Sequence, residues 1–316
     1  MQYELIIIGG GPGAVAAGVY AARKKIKSLL ITDSFGGQST VSAHIQNWIG
    51  IPSIVGLDMA DIIEKHLRQY AGDIFEIKTG VLVTKVEKKD GGPALSTSNG
   101  FVVTTDENKT YETKAIILAS GSGRRKLQVP GAAQFDGKGV VYCATCDAPL
   151  FNGKEVAVIG GGNAGLESAE QLLEHATKVY IVNRSEEFRG DPVTRERIFK
   201  SPKLVPIVNA DIQEVKGDKF VSGLVYKDSK TGEVKEIPVQ GIFVEIGSVP
   251  NSAMVKDLVQ LTPAGDVVID HKTARTSVEG IWAAGDVTDQ PYKQNNISMG
   301  DSVKALEDCY LWLRKQ

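Results

Sequence analysis

Cysteine is scarce in this chain: three residues in 316, two of them only three apart. That excludes a secreted fold stapled by many disulfides. Histidine is nearly as scarce, with four residues, and His44, His66, His175 and His271 show neither triad nor metal spacing. Charge of one sign is missing too. The formal net charge is −2, and Lys and Arg are scattered except for the run Arg124-Arg125-Lys126. A nucleic-acid or other polyelectrolyte partner therefore has no electrostatic basis. No apolar run reaches the length of a membrane span. The apolar run Leu5 to Ile8 begins after four residues, which leaves no room for the basic and apolar regions of a signal peptide. A cytoplasmic protein with no membrane contact is expected.

What the chain does have is glycine, 34 residues of it, and a repeated strand–glycine–helix–strand pattern. The first copy runs Glu4-Leu5-Ile6-Ile7-Ile8, then Gly9-Gly10-Gly11-Pro12-Gly13-Ala14, a small-residue helix to about Lys25, and a strand Ser28 to Thr32. The second, 151 residues on, runs Glu155 to Ile159, then Gly160-Gly161-Gly162-Asn163-Ala164-Gly165, a helix to about His175, and a strand Lys178 to Val182. Such alternation predicts an α/β chain with two Rossmann-like dinucleotide-binding domains. Glu76 to Lys88, Phe101 to Thr105 and Thr110 to Ile117 are expected as antiparallel strands, with a loop at Gly91, Gly92 and Pro93. A second β-rich stretch spans Val205 to Glu236, with a hairpin turn at Thr231-Gly232. The tail from Ser302 to Lys315 carries a helical pattern.

In the first turn, Gly9 permits the bend, Gly11 lets backbone approach a pyrophosphate, and Ala14 keeps helix and strand close. Asp33, 19 residues beyond Ala14, stands where a ribose hydroxyl pair is held. The bland alternative is an empty glycine turn. In the second turn, Gly160, Gly162 and Gly165 complete the fingerprint. Here Asn183, 18 residues after Gly165, replaces the acid, and Arg184 is placed to pair with a 2′-phosphate. NADPH is favoured over NADH, although Glu186 and Glu187 oppose it. Arg184 and Arg189 have a solvated loop as their alternative reading.

Cys143-Ala144-Thr145-Cys146 has three readings. A zinc site needs two further ligands, and only Cys309 remains. Buried inert thiols are the second, and Cys309 itself is expected to be a buried tail-helix residue. A redox disulfide fits best, because one thiol attacks while its neighbour resolves. Asp147 follows directly and is a candidate proton carrier if burial raises its pKa; a helix or turn cap is its alternative. The pair lies 14 residues before Gly160, inside the second nucleotide domain. The chain is expected to cross between domains near Ser120 to Lys126 and near Gly247, a two-stranded hinge.

Phe35-Gly36-Gly37-Gln38, Gln46-Asn47-Trp48, Ala119-Ser120-Gly121, Cys143-Ala144-Thr145-Cys146-Asp147, Gly160-Gly161-Gly162-Asn163 with Arg184, and Thr276 to Val287 follow in an order that resembles the low-molecular-weight thioredoxin reductases. It is also similar to the flavoprotein part of the alkyl hydroperoxide reductase F-type component. The likeness covers essentially the whole chain. It implies three-layer ββα domains, with an NADPH domain over residues 121–246 inserted into an FAD domain made of 1–120 and 247–316. It implies FAD at Gly9, Gly11, Pro12, Gly13, Ala14, Asp33, Gly37, Gln38, Asn47, Val83, Ala119, Gly121, Gly285, Asp286, Gln294 and Asn295. NADPH is implied at Gly162, Asn163, Ala164, Gly165, Asn183, Arg184 and Arg189. Cys146 would face the flavin, Cys143 would attack a protein disulfide, and Asp147 would shuttle the proton. A homodimer, rotation of the nucleotide domain during turnover, and a thioredoxin or glutaredoxin-like partner complete the expectation.

Three departures bear on that partner. Ala148 stands where the family commonly has Gly, Ser185 where thioredoxin reductases often have a second Arg, and Pro291-Tyr292-Lys293-Gln294 looks more like the peroxide-reductase branch. The thioredoxin-like module of the F-type proteins is not in this sequence, so a carrier is expected as a separate protein. Two other classes compete: a ferredoxin-linked flavoprotein of the same fold, and a non-catalytic redox sensor. The intact cysteine pair and second glycine turn weigh against the first; turnover with a carrier separates the second.

Overall fold

The computed structural model describes residues 2–42, 45–89 and 100–316, except for the Cys146 side chain. His44 and the loop at Gly91, Gly92 and Pro93 lie outside the described residues. The chain divides into two compact units, Met1–Gly123 with Val249–Gln316, and Arg124–Ser248.

The first unit opens with β1 (Tyr3–Ile8), α1 (Pro12–Arg23) and β2 (Ser28–Ile31). Pro12 sits at the start of α1, where its missing N–H costs nothing and its φ is already helical. α2 (Gly56–Arg68) follows. It buries Met59, Ala60, Ile63 and Leu67 at helical spacing, with Asp58 in its first turn and Lys65, His66 and Arg68 in its last, matching the helix dipole. β3 (Phe75–Lys78) pairs parallel with β2. This corrects the expectation of one antiparallel stretch from Glu76 to Lys88. β3 is an edge of the parallel sheet, because buried Phe75 packs close to Gly18 of α1. Only β4 (Val83–Lys88) runs antiparallel, against β5 (Phe101–Thr105). β6 (Thr110–Leu118) makes both kinds of pairing: its first half runs antiparallel to β5, and it lies parallel to β1. Alternation along β1 then sends Leu5 and Ile7 to a core shared with α1, and Ile6 and Ile8 to a core shared with β4 and β5. β7 (Ser122–Arg124) ends this passage.

The second unit contains β8 (Val140–Val141), α3 (Ala144–Asp147), β9 (Glu155–Ile159), α4 (Asn163–His175), β10 (Lys178–Val182), α5 (Pro192–Ile198) and β11 (Leu204–Ile207). β12 (Ala210–Gly217), β13 (Val221–Asp228) and β14 (Val234–Pro238) form an antiparallel meander, and β15 (Gly241–Val244) returns to the parallel sheet, ordered β11-β10-β9-β15-β8. Three layers recur. Val156 and Val158 face α4 through Leu166, Ala169 and Leu172, while Ala157 and Ile159 face the meander through Val215 and Leu224. The turn expected at Thr231-Gly232 is a longer hairpin loop, closed by Asp228 N–H to Glu233 O at 2.8 Å.

The chain then passes through β16 (Ser248–Pro250), which pairs with β7, to β17 (Ile281–Ala283), parallel to β6. α6 (Asn295–Leu313) begins well before the Ser302 start expected. Trp282 and Trp312 meet edge to face at 5.7 Å, and Cys309 is fully buried on α6, where desolvation pushes its thiol far above the ordinary range. No described helix is long and apolar enough to cross a membrane.

Candidate functional site

The N-terminus of α1 has no side-chain cap and no acid in its first turn, so its first N–H groups remain free for an anion. Gly9 has φ +129°, and a Cβ there would lie 2.2 Å from Ala119 O. That contact places Ala119, at the end of β6, directly against the turn. Gly11 differs: an added Cβ would find only the Gly37 Cα, at 4.0 Å, so an open groove runs between two expected cofactor residues. Gly13 faces Ser298 O and Ser302 Oγ, and its lack of a side chain lets α1 and α6 pack closely. Ala14 is buried beneath. Asp33 is exposed just beyond β2, and Val83 has its side chain in the core, leaving only its backbone for a ligand.

Distant residues converge on this end of α1. Gln38 Nε2 donates to Ser122 Oγ at 2.7 Å, beside Gly121. Asn47 Nδ2 donates to Gln294 Oε1 at 2.9 Å, and Ser39 Oγ donates to Asn295 Oδ1 at 2.9 Å. Gly285 turns at φ +76° against Ser298. Asp286, next to it, has its carboxyl pushed up by burial, an effect partly offset by the Lys293 ammonium. All expected flavin residues except Asp33 and Val83 are thus tied, directly or through one neighbour, into one cluster.

In the second unit, Gly160 has φ +138° and its Cβ would meet Glu245 O at 2.2 Å, whereas a Cβ on Gly162 would meet nothing within 4 Å. Gly165 packs on Gly160 O, holding α4 against β9. Residues 183–191 fold over this turn. Arg189 N–H donates to Gly161 O at 2.8 Å, and Asp191 N–H donates to Asn163 Oδ1 at 2.6 Å. Asp191 also caps α5, accepting from Thr194 N–H at 2.8 Å. Asn183 is buried, and its amide donates to Ser185 O and Glu187 O at 3.0 and 2.8 Å. It therefore shapes the loop that carries Arg184 and Arg189. Both guanidinium groups are exposed, and neither has a hydrogen bond or ion pair among the described residues. Ala164 is exposed at the open end of α4. The basic run Arg124-Arg125-Lys126 is spent structurally: Arg124 pairs with buried Glu245 at 2.8 Å, Arg125 donates to Ser248 O, and Lys126 pairs with Asp136.

The turn that carries the cysteine pair is short. Cys143 follows β8 and is disulfide-bonded; the Cys146 side chain lies outside what is described. Asp147 N–H donates to Cys143 O at 3.1 Å, closing the single turn of α3. Thr145 Oγ1 donates to Gln171 Oε1 at 2.8 Å, fixing the turn to α4. Asp147 makes no side-chain cap bond to the turn it precedes, and burial raises its carboxyl above the ordinary range. Below the ordinary carboxyl range the group is neutral folded or unfolded; above its folded value it is charged in both, and the folded state carries the desolvation cost. Asp147→Asn should then be at least as stable as the parent near about pH 7, with the difference vanishing towards about pH 3, in denaturant midpoints. On the reading of Asp147 as a proton carrier, the variant's turnover should fall about 10²-fold.

A family profile described as pyridine nucleotide-disulphide oxidoreductase matches residues 3–301. The chain belongs to that family. Members use FAD and NAD(P)H. It is 37% identical over 311 residues to a Bacillus subtilis (strain 168) protein named NADH dehydrogenase, and 39% identical over 308 residues to the F-type component of alkyl hydroperoxide reductase from Staphylococcus aureus (strain MRSA252). Each alignment takes in 98% of this chain but 58% of the relative, so the chain spans little more than half the length of these curated proteins. Among solved structures, Lactococcus lactis thioredoxin reductase (FR conformation) superposes with a TM-score of 0.92 at 32% identity, covering 100% of both chains. T. acidophilum thioredoxin reductase gives 0.88 at 34% identity, covering 98% of both.

The family's cofactors fit the two turns. Each offers an uncapped helix start beside a glycine whose Cβ direction is open, Gly11 in one and Gly162 in the other. Asp191 joins the second glycine turn, as does Gly190, whose added Cβ would lie 3.1 Å from Gly162 C, and Gln171 joins the Cys143 turn, none of them expected there. Asp191-Pro192 is a readable helix start; Gln171 carries no local signal.

Proposed function

We propose that the chain reduces a protein disulfide, drawing electrons from NADPH through FAD and the Cys143–Cys146 disulfide. On this reading Met1–Gly123 with Val249–Gln316 holds FAD, and Arg124–Ser248 holds NADPH and the cysteine pair. The observation that carries it is a disulfide at Cys143 beside a carboxyl raised by burial, in the same unit as an open glycine turn. When bound, FAD supplies a hydride acceptor able to pass electrons to sulfur. The chain's own residues do the rest. The free ends of α1 and α4 orient the two pyrophosphates. Cys146 takes the flavin-side role, and Asp147 holds the proton that its thiolate needs. Cys143 then attacks the partner's disulfide, and a mixed disulfide resolves by exchange. The partner is a thioredoxin or a glutaredoxin-like carrier, the enzyme a cytoplasmic homodimer.

The names of the relatives favour two carrier classes, thioredoxin and the carrier of a peroxide-reducing system. The test is NADPH and NADH oxidation with thioredoxin, glutaredoxin and peroxiredoxin from the same cell. Carrier-dependent oxidation of NADPH is expected, at a kcat/KM above that for NADH. No carrier-dependent oxidation of either nucleotide would overturn the proposal.

A further inference from the structure

Glu186 and Glu187 stand in the loop expected to receive a 2′-phosphate, where two acids should repel it. The structure gives one of them a partner that comes from another sheet. Lys230, on the hairpin between β13 and β14, places Nζ 2.7 Å from Glu186 Oε1. We propose that Lys230 is a specificity-determining residue of the second nucleotide site, acting through Glu186 to permit a 2′-phosphorylated nicotinamide nucleotide. The inference rests on the NADPH reading of this site.

Two features make the pair more than an incidental surface contact. First, the hairpin is held. Asp228 accepts from Lys230 N–H at 2.8 Å and Thr231 N–H at 3.1 Å through one carboxylate oxygen, and Gly232 N–H donates to Asp228 O at 2.8 Å. Those backbone donors also hold the Asp228 carboxyl below its ordinary range. Second, the hairpin is coupled to the loop through backbone. Ser229 N–H donates to Asn209 O at 2.8 Å, and Asn209 N–H donates to Ser185 O at 3.3 Å. Lys230 is therefore delivered to Glu186 by a framework that also positions the segment carrying Arg184.

Charge decides what this does. Between residues 183 and 189, Arg184 and Arg189 are balanced by Glu186 and Glu187. With Lys230 included the balance becomes positive, and Glu186 is held in a pair instead of facing the anion. Arg195 adds a further guanidinium, anchored to Phe188 O at 2.9 Å, and Asp191 at the α5 cap offsets it. As a pair both ends of which are more than half exposed, Lys230–Glu186 adds little to folding stability. Its effect is on the charge that a phosphate meets.

Four proteins test this: the parent, Lys230→Gln, Glu186→Gln and the double variant, each with KM and kcat for NADPH and NADH at low and high salt. Losing one positive charge near the phosphate predicts a rise of roughly two- to fivefold in the KM for NADPH in Lys230→Gln, with little change for NADH or in kcat. The shift should shrink at high salt, and the double variant should recover most of the parent's ratio. An unchanged NADPH-to-NADH ratio in Lys230→Gln, or a loss that Glu186→Gln does not rescue, would overturn the inference. A parent that prefers NADH would count against the NADPH reading alone, because the ratio should still move with Lys230.

Discussion

Cys146→Ser should lose carrier-disulfide reduction by at least about 10³-fold while FAD stays bound and NADPH oxidation by an artificial acceptor persists. A serine hydroxyl neither forms a disulfide nor ionises near neutral pH, so electrons cannot leave the flavin by way of sulfur. Cys143→Ser should show an equal loss with the carrier but leave a different thiol: the remaining Cys146 is the one expected to face the flavin. Cys309→Ser should leave turnover intact, since that thiol is fully buried on α6. Retained thioredoxin-linked activity in Cys146→Ser would break the proposed relay.

The second large effect contrasts two glycines of one turn. Gly160→Ala forces a Cβ to 2.2 Å from Glu245 O at φ +138°. Backbone strain of about 1–3 kcal/mol and overpacking of about 1–3 kcal/mol together should remove several kcal/mol, much of a typical domain's stability. Gly162→Ala, with nothing within 4 Å of the added methyl, should fold normally. It should instead weaken NADPH binding by about tenfold or more, because the methyl enters the groove left for the pyrophosphate. Denaturant unfolding and nucleotide titration of both variants check this. Equal stability of the two would contradict the geometry described.

The same contrast explains what is readable from residues alone. β9, α4 and β10 begin and end where the glycine fingerprint and its flanking β-branched runs place them, because each glycine has a distinct steric duty. β3 is harder: Phe75-Glu76-Ile77-Lys78 alternates like a half-exposed antiparallel strand, and only its packing on α1 shows it to be a parallel edge. α2 is legible in principle, since Met59, Ala60, Ile63 and Leu67 already carry its period. At the site, the local motifs are legible and the long-range partners are not. Nothing near Asn183 announces that its amide closes the loop, and nothing near Glu186 points 44 positions onward to Lys230. The Glu186–Lys230 link exists only once the meander is folded against the parallel sheet.

If the relay is right, reducing equivalents from NADPH reach the Cys143–Cys146 disulfide. Anaerobic incubation with NADPH, followed by alkylation and peptide mass analysis, reads this directly. Cys143 and Cys146 should change from blocked to alkylated while Cys309 in the folded protein stays unmodified. A flavin that is reduced by NADPH while both cysteines remain blocked would contradict the relay.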